Sequence, residues 1–122
     1  MTAEEELIQR YFDAFNNHDI EGVMACFHEY PVMVDATGTR FEGREEVGRH
    51  YETGFALMPD CRCDLRMLTG HSGHGVAESY FRGTRARYGK VIEAIGAEVL
   101  EIEDGRIKEM RDYHRPLSAK AA

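Results

Sequence analysis

Four side chains stand out by type and position: the carboxyls of Asp35, Glu98 and Asp112 and the phenol of Tyr11. Glu98 falls in the row Ile92, Ala94, Gly96, Glu98, Leu100, Ile102, which is one face of a strand at a period of two. An acid in such a row is either buried or turned to solvent by a bulge at Gly96. If it is buried, its pKa rises and the neutral carboxyl becomes a hydrogen-bond donor. Asp35 shares a strand face with Met33 and precedes Ala-Thr-Gly-Thr. It reads equally as a turn former bonding its own backbone and as an acid put to use on an apolar face. Asp112 and His114 are two apart. On a strand that spacing lets a carboxylate orient an imidazole for base work, or makes a solvated pair near the chain end. Tyr11 lies in a helical apolar stripe, where its ring is core and its hydroxyl needs a partner. Gathered on one apolar space, such groups would move protons on a small molecule. Phe15, Met33, Tyr51, Phe55, Met110 and His114 are the side chains expected to touch that molecule.

The elements that must position these groups are legible from hydrophobic period. Leu7, Ile8, Tyr11, Phe12 and Phe15 make one wide helical stripe, with Thr2 and three glutamates at its start. Asp19 caps a short second helix whose buried face is Ile20, Val23, Met24 and Phe27. Pro31 ends that helix, and 32–35 reads as a short strand with a return at 40–42. Val47, Tyr51 and Phe55 mark a third helix after Gly43. From Cys61 the period falls to two, giving strands at 61–68, 76–88, 91–103 and 106–114. The three glycines between Gly70 and Gly75 predict a loop holding His71 and His74 in solvent, and Asp104-Gly105 predicts a two-residue hairpin. Helices followed by hairpin-linked strands specify an α+β fold: three N-terminal helices packed on a curved, mainly antiparallel sheet. One domain is expected over 1–116, with a flexible tail at 117–122.

The chain has 122 residues, 43% of them hydrophobic and 30% charged, with a net charge of −7. That balance argues against nucleic acid, since nothing here offsets phosphate charge along a groove. Three cysteines, an odd number, point to a reducing compartment, and Cys61 and Cys63 share a strand face as small apolar fillers. The acidic N-terminus lacks the pattern of a signal peptide, and no apolar run reaches the ~20 residues that span a bilayer. A cytoplasmic protein without a membrane partner is expected. The outer face of the sheet, carrying Cys61, Cys63, Leu65 and Met67 or the alternate set, is expected to pair two copies into a homodimer.

The order helix, helix, strand, helix and four-strand meander resembles the nuclear transport factor 2-like superfamily, which includes SnoaL-like cyclases, ketosteroid isomerases and limonene epoxide hydrolases. The resemblance is carried by QRYFDAFNNHDIEGVMACF, VMVD, FEGREEV and EIEDGRIKEMRDY. It implies a cone-shaped, cystatin-like α+β barrel around a pocket, and neither a metal nor an organic cofactor. Similarity to ketosteroid isomerases places their oxyanion-donor tyrosine on Tyr11 in Arg10-Tyr11, their basic aspartate on Asp35, and their protonated acid on Glu98. Asp112, where those enzymes are apolar, suggests a substrate more polar than a steroid. The last strand, Met110-Arg111-Asp112-Tyr113-His114, is similar to that of the epoxide hydrolases. Their Arg-x-Asp is replaced here by Ser79 and Phe81, leaving the water-activating set incomplete. The resemblance therefore implies an isomerase or cyclase acting on a small apolar or carbonyl-containing molecule. The alternatives are an epoxide hydrolase-like enzyme and a non-catalytic binding or dimerisation domain. Convergence of Tyr11, Asp35 and Glu98 on one cavity separates catalysis from mere binding.

Overall fold

A computed structural model describes residues 1–117; the remainder of the expected tail lies outside the described residues. Thr2 opens α1 (Ala3–Asn16) with a capping box: its hydroxyl accepts from the Glu5 N–H at 3.1 Å while its own N–H donates to the Glu5 carboxylate at 2.8 Å. The same hydroxyl donates to the Gly70 carbonyl at 2.7 Å, tying the helix start to the sheet. Leu7, Ile8, Tyr11 and Phe12 are its buried face. Asp19 caps α2 (Ile20–Ala25) through the Gly22 N–H. Then follow β1 (Phe27–Val34), β2 (Arg40–Glu42), α3 (Arg44–Leu57), β3 (Arg62–His71), β4 (His74–Thr84), β5 (Val91–Glu103) and β6 (Arg106–Pro116).

The six strands form one curved, unclosed sheet in the order β2-β1-β6-β5-β4-β3. All pairs are antiparallel except β1 with β6, which is parallel. Helix α1 packs on β3 and β4, and α3 packs on β1 and β2. Phe12, Phe27, Ile8, Leu100, Ile107 and Met110 are fully buried between them. Among the described residues, no helix is long and apolar enough to cross a membrane.

Several boundaries differ from the sequence reading. Phe27 does not belong to α2; it opens β1, and the strand runs through Pro31. Proline has no N–H to lend, and pairing with β6 breaks after Phe27↔Ile107 and resumes at Val32↔Glu109. The stretch from Gly70 to Gly75 is not a loop. The ladder continues through Gly70↔Gly75 and His71↔His74, closed by Ser72 and Gly73 in left-handed conformations. Asp104 and Gly105 form the expected second hairpin, with φ values of 55° and 71°. Strand β4 ends at Thr84 rather than Tyr88, and β6 runs on to Pro116. The bulge in β3 between Leu65 and Met67 turns Met67 to solvent, while Cys61 and Cys63 point inward and are buried.

Gly96 carries no bulge. It pairs in register with Ser79 on β4 and with His114 on β6, and the β5–β6 shift lies further along, between Glu101 and Ile102. A Cβ at position 96 would lie 2.2 Å from the Tyr113 carbonyl oxygen and 2.6 Å from the His114 Cα. Both obstacles are backbone, so they cannot rotate away. The glycine thus lets β6 approach β5 closely and carry Asp112 and His114 against Glu98. Gly96→Ala is expected to lower stability by about 3 kcal/mol through this overpacking, as measured by urea denaturation. A variant as stable as the parent would show that the close approach is not needed.

Candidate active site

A partly open cavity of about 270 Å³ lies between the helices and the concave face of the sheet. Tyr11, Asp35, Glu98 and Asp112 all line it, as do Phe15, Met33, Tyr51, Phe55, Met110 and His114. Nine of these ten residues come from α1, α3 and strands β1, β5 and β6, and Asp35 follows β1. Among the described residues no lysine or arginine lines the cavity.

The sheet wall holds a continuous chain of hydrogen bonds. Glu98 is 5% exposed and Ser79 fully buried. The Ser79 Oγ lies 2.9 and 3.0 Å from the two Glu98 carboxyl oxygens and 2.9 Å from His114 Nε2. His114 Nδ1 lies 2.5 Å from Asp112 Oδ1, which also accepts the His114 backbone N–H at 3.0 Å. Burial pushes the Glu98 pKa up, and Asp112 adds to the rise; His114 and the Ser79 hydroxyl oppose it, leaving the carboxyl at about 7. For His114, burial disfavours the charged ring, but the bond to Asp112 and the charges of Asp112 and Glu98 prevail and raise its pKa.

The helical wall presents a second polar pair. The hydroxyls of Tyr11 and Tyr51 are 2.6 Å apart and buried. Burial, reinforced by nearby Glu98, holds both phenols neutral, well above their ordinary pKa. The Tyr51 hydroxyl can donate to Met110 Sδ at 3.9 Å while accepting from Tyr11, so in the absence of a ligand the Tyr11 proton is used within this pair. His50, on the same wall, has its pKa lowered by burial, against the pull of Asp35 and Asp112.

Asp35 stands just beyond the end of β1. Its Oδ1 accepts from the Thr37 hydroxyl at 2.7 Å and from the Thr37 and Thr39 N–H groups at 3.0 Å each. Burial raises its pKa, but these bonds outweigh burial and the net pKa is lowered. Turn chemistry and cavity placement are thus both present at this residue.

Groups that received no site role from sequence include Cys63 and His50, which line the cavity, and Ser79 behind it. Cys63 was read as a small apolar filler, and burial pushes its thiol well above the ordinary range. Its Sγ is also 3.3 Å from Ser79 Oγ and 3.8 Å from Glu98 Oε2. The donor atoms of Cys63, Glu98 and His114 lie within 4.8 Å of one another. The Cys63 thiol donates to Ser79 Oγ, and that same oxygen lies within hydrogen-bond distance of Glu98 and His114, so the three side chains are joined through Ser79 as a hydrogen-bond cluster. In sequence Ser79 was met only as the residue in place of the epoxide hydrolases' arginine.

Residues 8–110 match the model of the SnoaL-like domain. No curated protein matches the chain. Among solved structures, a putative SnoaL-like polyketide cyclase from Jannaschia sp. CCS1 superposes with a TM-score of 0.81 at 14% identity, covering 93% of this chain and 85% of that one. TerC co-crystallized with polyporic acid gives 0.78 at 17% identity, over 90% and 89% of the two chains. A ketosteroid isomerase-like protein from Catenulispora acidiphila DSM 44928, in complex with trimethylamine, gives 0.76 at 16%, over 87% and 82%. At these identities the likeness is one of fold.

The raised Glu98 pKa makes stability depend on pH. The folded state holds the proton more tightly than the unfolded chain, so the stability is fully present below the ordinary carboxyl range and falls as pH rises to about 7. Above that, an ionised Glu98 costs roughly 3 kcal/mol. Glu98→Gln should therefore raise stability at pH 8 by roughly 1–3 kcal/mol and flatten the slope between about pH 5 and 7. Urea denaturation across that range reads both effects, and an unchanged slope would assign the titration to another group.

Proposed function

The chain belongs to the SnoaL-like domain family, and on that premise we propose that it binds a small, largely apolar carbonyl compound and moves a proton on it by acid–base catalysis. One observation carries this reading: two carboxyls on a single cavity sit in environments that displace their pKa values in opposite directions. Such a division separates a base from an acid at neutral pH. Asp35, held ionised by its turn, takes the proton from the carbon beside the carbonyl. The neutral Glu98 carboxyl and the Tyr11 hydroxyl donate to the oxygen on which charge collects. Asp35 then returns the proton to a different carbon. On binding, the Tyr11 proton turns from Tyr51 to the ligand oxygen, and Asp112 adds polarity to the far wall. Three carboxyls, with no lysine or arginine among the described lining residues, disfavour carboxylate- or phosphate-bearing ligands. Solved relatives of this fold carrying polyporic acid or trimethylamine support a small organic ligand as the class.

The test is deuterium uptake beside the carbonyl of small cyclic ketones and enones in heavy water, followed by NMR. The protein should accelerate uptake, with Asp35→Asn slower by roughly 100-fold or more and Tyr11→Phe by about 100-fold. The rate should decline as pH rises through about 7, when Glu98 loses its proton. A folded Asp35→Asn variant with unchanged rate would remove the base. A rate that holds to pH 9 would remove Glu98 as donor.

A further inference from the structure

A neutral acid that is only 5% exposed raises a question of supply. Glu98 faces Tyr11 on α1 and Tyr51 on α3 across the cavity, Cys63 on β3, and Ser79, His114 and Asp112 within the sheet. The two phenols bond each other rather than Glu98, and the Cys63 sulfur stands 3.8 Å from it, well beyond the Ser79 hydroxyl. His50 on α3 faces Asp35 and Asp112 instead. The remaining neighbour is Ser79, which does not line the cavity but touches both Glu98 and His114.

We infer that Ser79 is a proton relay joining Glu98 to the His114–Asp112 pair, and that it reloads the buried carboxyl from the more open side of the sheet wall. Two hydrogen-bond arrangements are open to these atoms; Nε2 also lies 3.2 Å from the Ser79 carbonyl oxygen, a contact that only the protonated Nε2 satisfies. In one, the Glu98 carboxyl donates to Ser79 Oγ, the serine hydroxyl donates to His114 Nε2, and Nδ1–H donates to Asp112. In the other, His114 carries the extra proton: Nε2–H donates to Ser79 Oγ and the hydroxyl donates to the Glu98 carboxylate. One arrangement becomes the other when two protons shift along the chain, one between Oε and Oγ and one between Oγ and Nε2. No bond between heavy atoms breaks, and the summed charge of Glu98, His114 and Asp112 is −1 in both. The distances along the path, 2.9, 2.9 and 2.5 Å, are all hydrogen bonds. The outer end opens to water, since the Asp112 side chain is 34% exposed while that of His114 is 7% exposed. Gly96, lying between Ser79 and His114 in the ladder, contributes no side chain to separate them. Ser79 acts through Glu98 and is therefore a positioning residue. This role deepens the acid–base reading and rests on it for its purpose, but not for its measurement.

The experiment is a pH titration of the unliganded full-length protein, following the Glu98 carboxyl carbon and the His114 ring nitrogens by NMR. A shared proton makes both signals move at the same midpoints, because the macroscopic values belong to the pair. Ser79→Ala should separate them, each group moving at its own midpoint one pH unit or more from the other. Ser79→Thr keeps the hydroxyl and should retain the common behaviour. Separate midpoints in the wild type, or common midpoints persisting in Ser79→Ala, would overturn the relay. Were Ser79→Ala unable to fold, the wild type and Ser79→Thr titrations would decide alone. Common midpoints without ketone exchange would refute the catalytic reading and leave the relay standing. Separate midpoints with exchange would do the reverse.

Discussion

The rest of the site depends on one constraint: Glu98 is an ionisable acid on the apolar inner face of a sheet. An unpaired buried carboxylate costs several kcal/mol. Two devices reduce that cost here. The carboxyl gives up its charge near neutrality, and Ser79 supplies a hydroxyl within reach of both oxygens. Among the described residues no buried side-chain nitrogen or oxygen lacks a partner, so the cluster is closed. Such a cluster ranks residues by their distance from solvent: Glu98 and Ser79 innermost, His114 next, Asp112 outermost.

That closure constrains the backbone. Ser79 and His114 belong to strands that are not neighbours, and β5 runs between them. They meet because Gly96 has nothing to place in the gap and because β6 presses close to it. The close approach in turn needs β4, β5 and β6 to hold register through this stretch, with the irregularity pushed out to Glu101 and Ile102. A one-residue slip of β6 would turn Asp112 and His114 to the outer face and strand Glu98 without partners. The polar cluster and the sheet register therefore specify each other.

Period and face assignment made much of this legible in the sequence. The stripe of α1 placed Tyr11, and alternation placed Glu98 on the inner face of β5 and Asp112 with His114 on that of β6. Those inferences need only the local repeat of one element. Ser79 was not singled out because its importance lies in a three-strand alignment, which no single segment encodes. Cys63 escaped for a related reason: burial was readable from its spacing, but its partners were not. The errors at Phe27, at Pro31 and in the stretch from Gly70 to Gly75 came from reading proline and glycine as stops. In an edge-adjacent strand with a broken ladder, proline is tolerated. In a strand flanking a two-residue turn, glycine can stay in the ladder.

Asp35 shows why weighing a structural role against a functional one can mislead. Its Oδ1 is taken by the turn that it forms, which is the ordinary use of an aspartate before Thr-Gly-Thr. Yet those three bonds are what hold its pKa down against burial. Without them burial would push the Asp35 pKa up instead, narrowing the difference between the two carboxyls. Turn chemistry at one carboxyl and burial at the other produce the asymmetry that proton transfer requires. Tyr11 follows the same logic, since the core packing that fixes its ring also keeps its hydroxyl protonated beside Tyr51. In this cavity the groups proposed to move a proton are also groups with structural partners, and those partners set their protonation.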